Sequence, residues 1–303
     1  MRVLISGGTG LIGTQLTRSL HADGHEVWIL SRRPQTARLP EGAHALGWDG
    51  RTGEGWGQIV DQVEAVVNLV GERLARWPWT RQFKQRIWDS RVEGGRALAD
   101  AVRVAKKRPR VLVQASGVNY YGPHGPEILT EADPPGDDFL ARLCLAWEGS
   151  TAAVEALGVR RVVVRSAIVL DRSDGILPIM MLPVRLFAGG PLGNGRQGLP
   201  WIHHDDEVAA IRFLLENGSA HGAFNLTAPQ PISSADFIRR LAKAMRRPYW
   251  FQAPAFALRL LLGEMSALIL AGEYLLPRRL LDLGFRFKFD SLADALGDLL
   301  PHS

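Results

Sequence analysis

The glycine-rich turn at the N-terminus constrains the fold of this chain more than any other stretch. Residues 3–5, Val-Leu-Ile, form the short apolar run that is typical of a buried parallel strand. Gly7, Gly10 and Gly13 follow at the spacing G-x-x-G-x-x-G, and apolar residues at helical spacing begin at Leu11. A strand, a glycine turn and a helix in this order predict a dinucleotide-binding unit.

Glycine has three uses in such a turn. It lets the chain turn tightly, lets the backbone approach a pyrophosphate, and lets the helix pack closely on the strand. The start of the helix then offers free N–H groups and the positive end of its dipole to the phosphates. A glycine-rich connection without a ligand is the alternative, and the position between strand and helix favours the dinucleotide. The predicted cofactor contacts in this turn are Gly7, Thr9, Gly10, Leu11, Ile12 and Gly13.

The end of the second predicted strand indicates which dinucleotide is bound. Residues 26–30 are followed by Ser31, Arg32 and Arg33, and no Asp or Glu occurs before Glu41. In dinucleotide folds an acidic residue here binds the ribose 2′-hydroxyl, whereas arginine accommodates a 2′-phosphate. The sequence therefore favours NADP(H) over NAD(H), with Ser31, Arg32 and Arg33 as cofactor-binding residues. The alternative is that both arginines only face solvent.

Strand and helix patterns alternate along the rest of the N-terminal half. Further strands are predicted at 43–48, 65–70, 110–115 and 159–164, with helices over 81–107 and 141–157. This alternation predicts an α/β fold with a doubly wound, Rossmann-like parallel sheet. Ligands of such sheets bind at the carboxyl ends of the strands. Those ends add Leu69, Val70, Gly71, Ser116 and Ile168 to the predicted cofactor site.

The pattern changes after about residue 170. We expect a dinucleotide-binding domain over residues 1–170, to which some later segments return, and a smaller, mainly helical substrate lobe over residues 171–303. A small-molecule substrate would lie between them, in contact with loop residues rich in aromatic and polar side chains. The predicted substrate contacts are Trp77, Trp79, Arg81, Gln197 and His203.

Composition excludes several other classes of protein. The net charge is +5 over 303 residues, and only residues 103–110 are densely basic, at a helix end. We therefore expect no nucleic-acid partner. Residues 254–276 are rich in Leu and Ala, but charges interrupt them and no run reaches 18 apolar residues, so no membrane partner is predicted. This stretch predicts core helices or an oligomer surface, which keeps a homodimer open. No basic and apolar leader precedes the first strand, which predicts a cytoplasmic protein or one that reaches an organelle through a leader that has been lost.

Metal and disulfide sites are also not expected. Cys144 is the single cysteine, so an intrachain disulfide is excluded. His203 and His204 precede Asp205 and Asp206, but neighbouring residues of a strand point to opposite faces, which argues against joint chelation. We predict no metal. Helix capping, with Asp205 as the cap, or a substrate contact is the better interpretation.

The sequence resembles the extended short-chain dehydrogenase/reductase superfamily, which contains nucleotide-sugar epimerases and dehydratases. It is most similar to an atypical NAD(P)-binding, epimerase-like branch of unassigned substrate, some members of which are labelled cell-division inhibitors. The resemblance runs essentially end to end. Its motifs are Gly7–Gly13, Asn68–Gly71, Ser116–Gly122, Trp147-Glu148, Gly189–Gly193, Trp201–His203, Asn225–Pro229 and Gly284-Phe285.

The resemblance implies a catalytic serine and a Tyr-x-x-x-Lys pair, in which lysine lowers the pKa of the tyrosine. This chain departs from that pattern, since Cys144 and Glu148 stand at the tyrosine and lysine positions. A carboxylate would oppose a phenolate there. Ser116, Tyr120 and Tyr121 are the remaining candidates for catalysis, with a packed loop beside the nicotinamide as the alternative role of the tyrosines.

Two functions fit these features. The first is an NADP(H)-dependent oxidoreductase or epimerase that acts on a small polar or sugar-like substrate. The second is a non-catalytic NADP(H)-binding sensor or regulatory protein. The missing dyad favours the second, and the aromatic and polar residues expected across the cleft favour the first. The sequence favours an enzyme overall.

Overall fold

The computed structural model describes residues 1–300, and its centre is a seven-stranded parallel sheet. The strands run in the spatial order β3-β2-β1-β4-β5-β7-β10. Their bounds are Arg2–Ser6 (β1), Glu26–Ser31 (β2), Ala43–Gly47 (β3), Ala65–Asn68 (β4), Val111–Gly117 (β5), Arg160–Ser166 (β7) and Gly222–Leu226 (β10). The predicted doubly wound α/β fold is therefore confirmed. The order reverses between β1 and β4, which is where such sheets bind their ligands.

Helices cover both faces of this sheet. Three of them follow strands directly in the first half of the chain, namely Leu11–Ala22 (α1), Arg81–Val104 (α2) and Phe139–Gly149 (α3). The later helices are Leu177–Arg185 (α4), His204–Glu216 (α5), Ser234–Ala244 (α6), Ala255–Leu262 (α7), Ala267–Leu270 (α8), Arg278–Asp282 (α9) and Leu292–Leu299 (α10). The central strands are apolar and fully buried, as expected for a sheet that is covered on both sides.

Two short strand pairs complete the fold. Ile128–Leu129 (β6) pairs with Tyr274–Leu275 (β11), and Ile168–Leu170 (β8) pairs with Trp201–His203 (β9). A second hydrophobic cluster packs α4, α6 and α10 around Trp201 and Phe237. No helix of residues 1–300 is long and apolar enough to cross a membrane.

Three local features differ from the sequence predictions. The seventh strand, β10, was not predicted, because its five residues begin with glycine and contain an asparagine. The predicted helix 141–157 instead ends at Gly149, where the Ser150 hydroxyl donates to the Trp147 carbonyl, and a 3-10 helix follows. The cap of α5 is His203, not Asp205, since its Nδ1 accepts from the Asp205 N–H at 3.1 Å.

Candidate functional site

The glycine turn is shaped by close backbone contacts. Gly7 has φ +74°, a conformation that favours glycine, and a Cβ there would lie 2.6 Å from the Leu69 carbonyl oxygen. A Cβ on Gly13 would lie 2.5 Å from the Gly7 oxygen. Gly10 precedes α1, and no side chain caps that helix. The first N–H groups of α1 therefore have no side-chain acceptor at this tightly packed turn. Such free N–H groups at a helix start suit the binding of an anion.

Polar side chains buried beneath the turn form a continuous chain of hydrogen bonds. The Ser6 hydroxyl donates to Asn68 Oδ1 at 2.6 Å, and Asn68 Nδ2 donates to Gln114 Oε1 at 2.9 Å. Asn68 Oδ1 also accepts from the Val70 N–H at 3.3 Å. All three side chains are fully buried, at the ends of β1 and β4 and in the middle of β5. This chain fixes the relative positions of the strand ends and orients the segment 69–71. Sequence reasoning missed Ser6 and Gln114, although polar residues inside apolar strands were a signal.

The end of β2 carries the two predicted specificity arginines. β2 lies beside β1, with Leu30 opposite Ser6. The Ser31 hydroxyl accepts from the Arg33 N–H at 3.2 Å, which folds the chain back after the strand. Arg32 and Arg33 are exposed, and neither forms an ion pair within residues 1–300. Both guanidinium groups are thus available to an anion at this edge of the sheet.

The position where the superfamily has lysine holds one end of a buried ion pair. The Ser116 hydroxyl donates to Glu148 Oε1 at 2.8 Å. Arg165 binds the same carboxylate twice, with Nε 2.9 Å from Oε1 and Nη2 3.1 Å from Oε2. The Arg165 side chain is 5% exposed and that of Glu148 is 12% exposed. Burial alone would lower the pKa of Arg165, but the hydrogen bonds and charge of Glu148 raise it above its usual range.

The two tyrosines of the loop after β5 have different surroundings. Tyr121 is fully buried, and its hydroxyl donates to Asn225 Oδ1 at 2.7 Å and accepts from Arg165 Nη1 at 3.0 Å. Burial raises the pKa of Tyr121 to about 12, although Arg165 acts in the opposite direction. Tyr120 is half-buried, and the Arg165 guanidinium stacks on its ring at 3.3 Å. Its hydroxyl has no hydrogen-bond partner in the described part of the chain.

Cys144 stands at the superfamily's tyrosine position but lacks the surroundings of a nucleophile. It is buried, and burial together with the charge of Glu148 raises the pKa of its thiol to about 11. A thiol in such surroundings stays protonated and behaves as a small apolar group. Arg91 is close enough to oppose this shift, but burial lowers the pKa of Arg91 itself to about 10.

An open cleft of about 730 Å³ lies between the loop before β6, the start of α3 and the segment α7–α8. It brings together two of the predicted substrate residues, Trp79 and Gln197, with Asp138, Phe139 and Arg259. The Trp79 indole N–H donates to the Leu74 carbonyl and its ring packs edge-on against Phe139. The cleft therefore has an aromatic wall and a polar rim.

The other predicted substrate residues lie elsewhere. Trp77 is 62% exposed, and Arg81 is exposed at the first residue of α2; neither lines the cleft. His203 is completely buried against Phe289, with ring centroids 3.9 Å apart. Burial, followed by the charge of His204, lowers the pKa of His203 to about 4. We therefore leave His203 out of the proposed substrate site.

The histidine pair at the start of α5 also corrects one sequence argument. His203 ends β9 and His204 begins α5, so strand alternation does not separate them, and ligand atoms of His203, His204 and Asp205 lie within 4.8 Å of one another. The protein already engages some of these atoms, because Lys288 donates to Asp205 at 2.7 Å and His203 Nδ1 accepts a backbone N–H. The absence of a metal stays a prediction.

Comparison with known proteins places this geometry in a family. The family model described as the NAD dependent epimerase/dehydratase family matches residues 3–227. A second model, described as a domain of unknown function (DUF1731), matches residues 253–299. Together the two models cover the sheet, most of the cleft and the C-terminal helices.

Full-length relatives and solved structures agree. The chain is 36% identical over 303 residues to the epimerase family protein YfhF of Bacillus subtilis (strain 168), covering 99% of this chain and 98% of that protein. The crystal structure of human epimerase family protein SDR39U1 (isoform2) with NADPH is 34% identical, with a TM-score of 0.87 and 99% of both chains covered. A nucleoside-diphosphate sugar epimerase from Corynebacterium glutamicum is 29% identical, with a TM-score of 0.79, covering 99% of this chain and 58% of that one. The chain therefore belongs to the NAD-dependent epimerase/dehydratase family, in the atypical epimerase-like branch that carries DUF1731.

Proposed function

We propose that the protein is an NADP(H)-dependent oxidoreductase or epimerase that acts on a small polar or sugar-like substrate. One observation supports the cofactor assignment: an uncapped helix start in a glycine turn lies one strand away from two arginines that have no carboxylate partner among residues 1–300. Glycines whose Cβ atoms would overlap backbone suit a turn that must approach a ligand closely. The 34% identity to SDR39U1, whose structure includes NADPH, supports the same cofactor.

The geometry supports a set of residues that would hold NADP(H). The turn from Gly7 to Gly13 would bind the diphosphate, Arg32 and Arg33 the 2′-phosphate, and the segment 69–71 the far side of the crevice. Thr9 is exposed at the apex of the turn, and Ile168 begins β8 just beyond the end of β7. Bound NADP(H) would supply or accept a hydride.

The catalytic groups we propose are Ser116 and Tyr120. Ser116 is the penultimate residue of β5, at the same edge of the sheet as the glycine turn, and its hydroxyl is oriented by Glu148. Tyr120 has the less buried of the two phenols, and the Arg165 guanidinium lies over its ring. Tyr121 remains a weaker candidate because its hydroxyl already donates to Asn225 and accepts from Arg165. Trp79 and Gln197 would contact the substrate, and the relative named as a sugar epimerase supports a sugar-like molecule.

A non-catalytic NADP(H) sensor is the second candidate, and one observation favours it. The place of the lysine that activates a catalytic tyrosine holds Glu148, whose carboxylate is neutralised by Arg165. The cofactor site would then be retained without the usual acid. A homodimer, left open by the sequence, stays a prediction.

Arg32 provides the test of the cofactor assignment. Replacing it with glutamate puts a negative charge beside the 2′-phosphate, so we expect NADPH affinity to fall at least about tenfold while NADH affinity changes little. Calorimetric titration of both cofactors measures this. Arg18→Glu, an exposed arginine on α1, makes the same charge change as a control. Equal losses for NADPH and NADH in Arg32→Glu would contradict the assignment.

Turnover separates the enzyme from the sensor. A panel of carbonyl compounds and nucleotide sugars, followed by NADPH oxidation and by product analysis for epimers, should yield at least one substrate. Tyr120→Phe should then reduce kcat with little change in NADPH affinity. Tight NADPH binding without turnover across the panel, combined with a partner released on cofactor binding, would favour the sensor.

A further inference from the structure

The exposed surface around α7 combines bulky apolar side chains with unpaired cations. Its apolar members come from the end of α4, the loop after α6 and α7 itself, and α7 buries none of its residues. Trp250 is 70% exposed and Leu260 is 88% exposed. We call this surface the basic apolar face; its apolar members are Leu186, Phe187, Trp250, Phe251, Phe256 and Leu260.

Specific contacts hold these side chains outward. The Trp250 indole N–H donates to the Phe187 carbonyl at 2.8 Å, and the backbone N–H groups of Trp250 and Phe251 both donate to the Gly189 carbonyl. The two aromatic side chains therefore stand on a braced loop rather than on a loose one. Phe256 and Leu260 are four residues apart on α7, so they share one side of the helix.

Cations lie close to the apolar groups in the sequence, and this part of the sequence contains no acid. Residues 237–263 include Arg239, Arg240, Lys243, Arg246, Arg247 and Arg259 and no Asp or Glu. Arg239 pairs with Asp236, whereas Arg240, Lys243, Arg246 and Arg247 are exposed and have no carboxylate partner among residues 1–300. The Arg247 guanidinium lies 4.8 Å from the Phe187 ring, which joins the cations to the apolar members.

We propose that the basic apolar face docks on the surface of an anionic lipid bilayer. Exposed Trp, Phe and Leu side chains that are flanked by Lys and Arg suit the boundary between headgroups and acyl chains. Charge decides against a second copy of this chain, because a two-fold interface through the face would bring like charges together. Docking of this kind needs neither a spanning helix nor a dense basic run, which explains why the sequence predicted no membrane partner.

The face also adjoins the cleft. Arg259 of α7 lines the cleft, as do Gly263 directly after α7 and Leu270 at the end of α8. Phe256 and Leu260 lie outside this lining. A docked molecule would therefore hold the rim of its cleft near the headgroups. The proposal does not depend on turnover or on the choice of dinucleotide.

Vesicle flotation with the full chain tests the proposal. We expect the protein to float with vesicles of equal parts phosphatidylcholine and phosphatidylglycerol, to stay behind with phosphatidylcholine alone, and to be released by added salt. Arg246→Glu with Arg247→Glu should weaken this binding at least about tenfold. Lys106→Glu with Lys107→Glu makes the same charge change in the other basic run and should leave binding intact.

The apolar half has its own variants. Phe256→Ser with Leu260→Ser should weaken vesicle binding about tenfold, and Val104→Ser with Leu145→Ser, also exposed apolar residues, should not. An unaltered circular dichroism spectrum and melting temperature in all variants show that they fold. Absence of flotation, equal binding to neutral vesicles, or equal losses in the control variants would overturn the proposal. A dimer in analytical ultracentrifugation that the face variants dissociate would overturn it in favour of a second copy.

Discussion

The glycine turn and the Ser116–Glu148–Arg165 cluster lie at the same edge of one sheet but are built in opposite ways. At the turn, helix α1 starts without a capping side chain and the nearby Arg32 and Arg33 have no acidic partner in the described chain. At the cluster, serine, carboxylate and guanidinium bind one another. The turn leaves its donors free for an anion, whereas the cluster satisfies its own polar groups.

This difference separates cofactor binding from catalysis, two properties that the superfamily resemblance would link. Free donors and cations imply that ligand binding contributes to the stability of the turn region. A self-satisfied cluster is stable without ligand, so its integrity says little about turnover. Substitutions in the glycine turn should therefore lower mainly cofactor affinity. Substitutions in the cluster should lower mainly folding stability.

Breaking the cluster should have the largest effect on stability. Arg165→Met leaves the Glu148 carboxylate buried with only the Ser116 hydroxyl as a partner, so we expect unfolding free energy to fall by about 3–5 kcal/mol. Urea denaturation of the cofactor-free protein measures it. Arg278→Met removes a guanidinium whose ion pair with Asp282 is exposed on both sides, and should cost about 1 kcal/mol or less. Equal losses of unfolding free energy in the two variants would mean that the buried ion pair contributes no more to stability than an exposed one.

The turn should respond in cofactor affinity. Gly13→Ala places a Cβ 2.5 Å from the Gly7 oxygen, so the start of α1 must move away from the strand. We expect NADPH affinity to fall roughly a hundredfold, which corresponds to about 2.7 kcal/mol. Fluorescence titration of NADPH measures this. Gly297→Ala in α10, where a Cβ meets nothing within 4 Å, is the matched control and should bind NADPH normally.

The contrast between the turn and the cluster also explains which parts of the candidate site could be predicted from the sequence. The turn was predictable because its chemistry is local: strand, glycines and helix are consecutive, and the arginines follow the next strand. The cluster joins residues 32 and 17 positions apart, Ser116 with Glu148 and Glu148 with Arg165. The sequence showed that Glu148 replaces a lysine but could not supply Arg165 as its partner.

Burial was the other quantity that local patterns missed. His203 looked like a substrate ligand because of its residue type, yet packing against Phe289 encloses it. The seven-stranded sheet gained β10 because pairing with β7 stabilises a segment whose own sequence favours a loop. Local patterns also missed the basic apolar face, because its members come from three separate segments of the chain.

A buried carboxyl on α5, that of Glu207, should make stability depend on pH. Burial raises the pKa of Glu207 to about 8, while the Ser166 hydroxyl donates to it at 2.5 Å. A raised carboxyl pKa stabilises the fold fully below the unfolded pKa of about 4.5, and this stability is lost as pH rises through about 8.

Glu207→Gln tests this dependence. We expect the wild-type unfolding free energy to fall between those two pH values by up to about 1.4 kcal/mol per pH unit relative to Glu207→Gln. Urea titrations at several pH values provide the comparison, and Glu216→Gln, exposed at the end of the same helix, should retain the wild-type slope. A wild-type slope in Glu207→Gln would show that Glu207 ionises alike in the folded and unfolded chain.

The smallest effect compares the two tyrosines. Tyr121→Phe removes a hydroxyl that binds Asn225 and Arg165 in the core, so we expect a loss of about 1–2 kcal/mol in unfolding free energy. Tyr120→Phe removes a hydroxyl without a partner in residues 1–300 and should change stability by less than about 0.5 kcal/mol. Because the two residues are adjacent and the chemical change is identical, each variant controls for the other. Equal losses would place Tyr120 inside the self-satisfied cluster and leave no phenol in this loop free to serve a substrate.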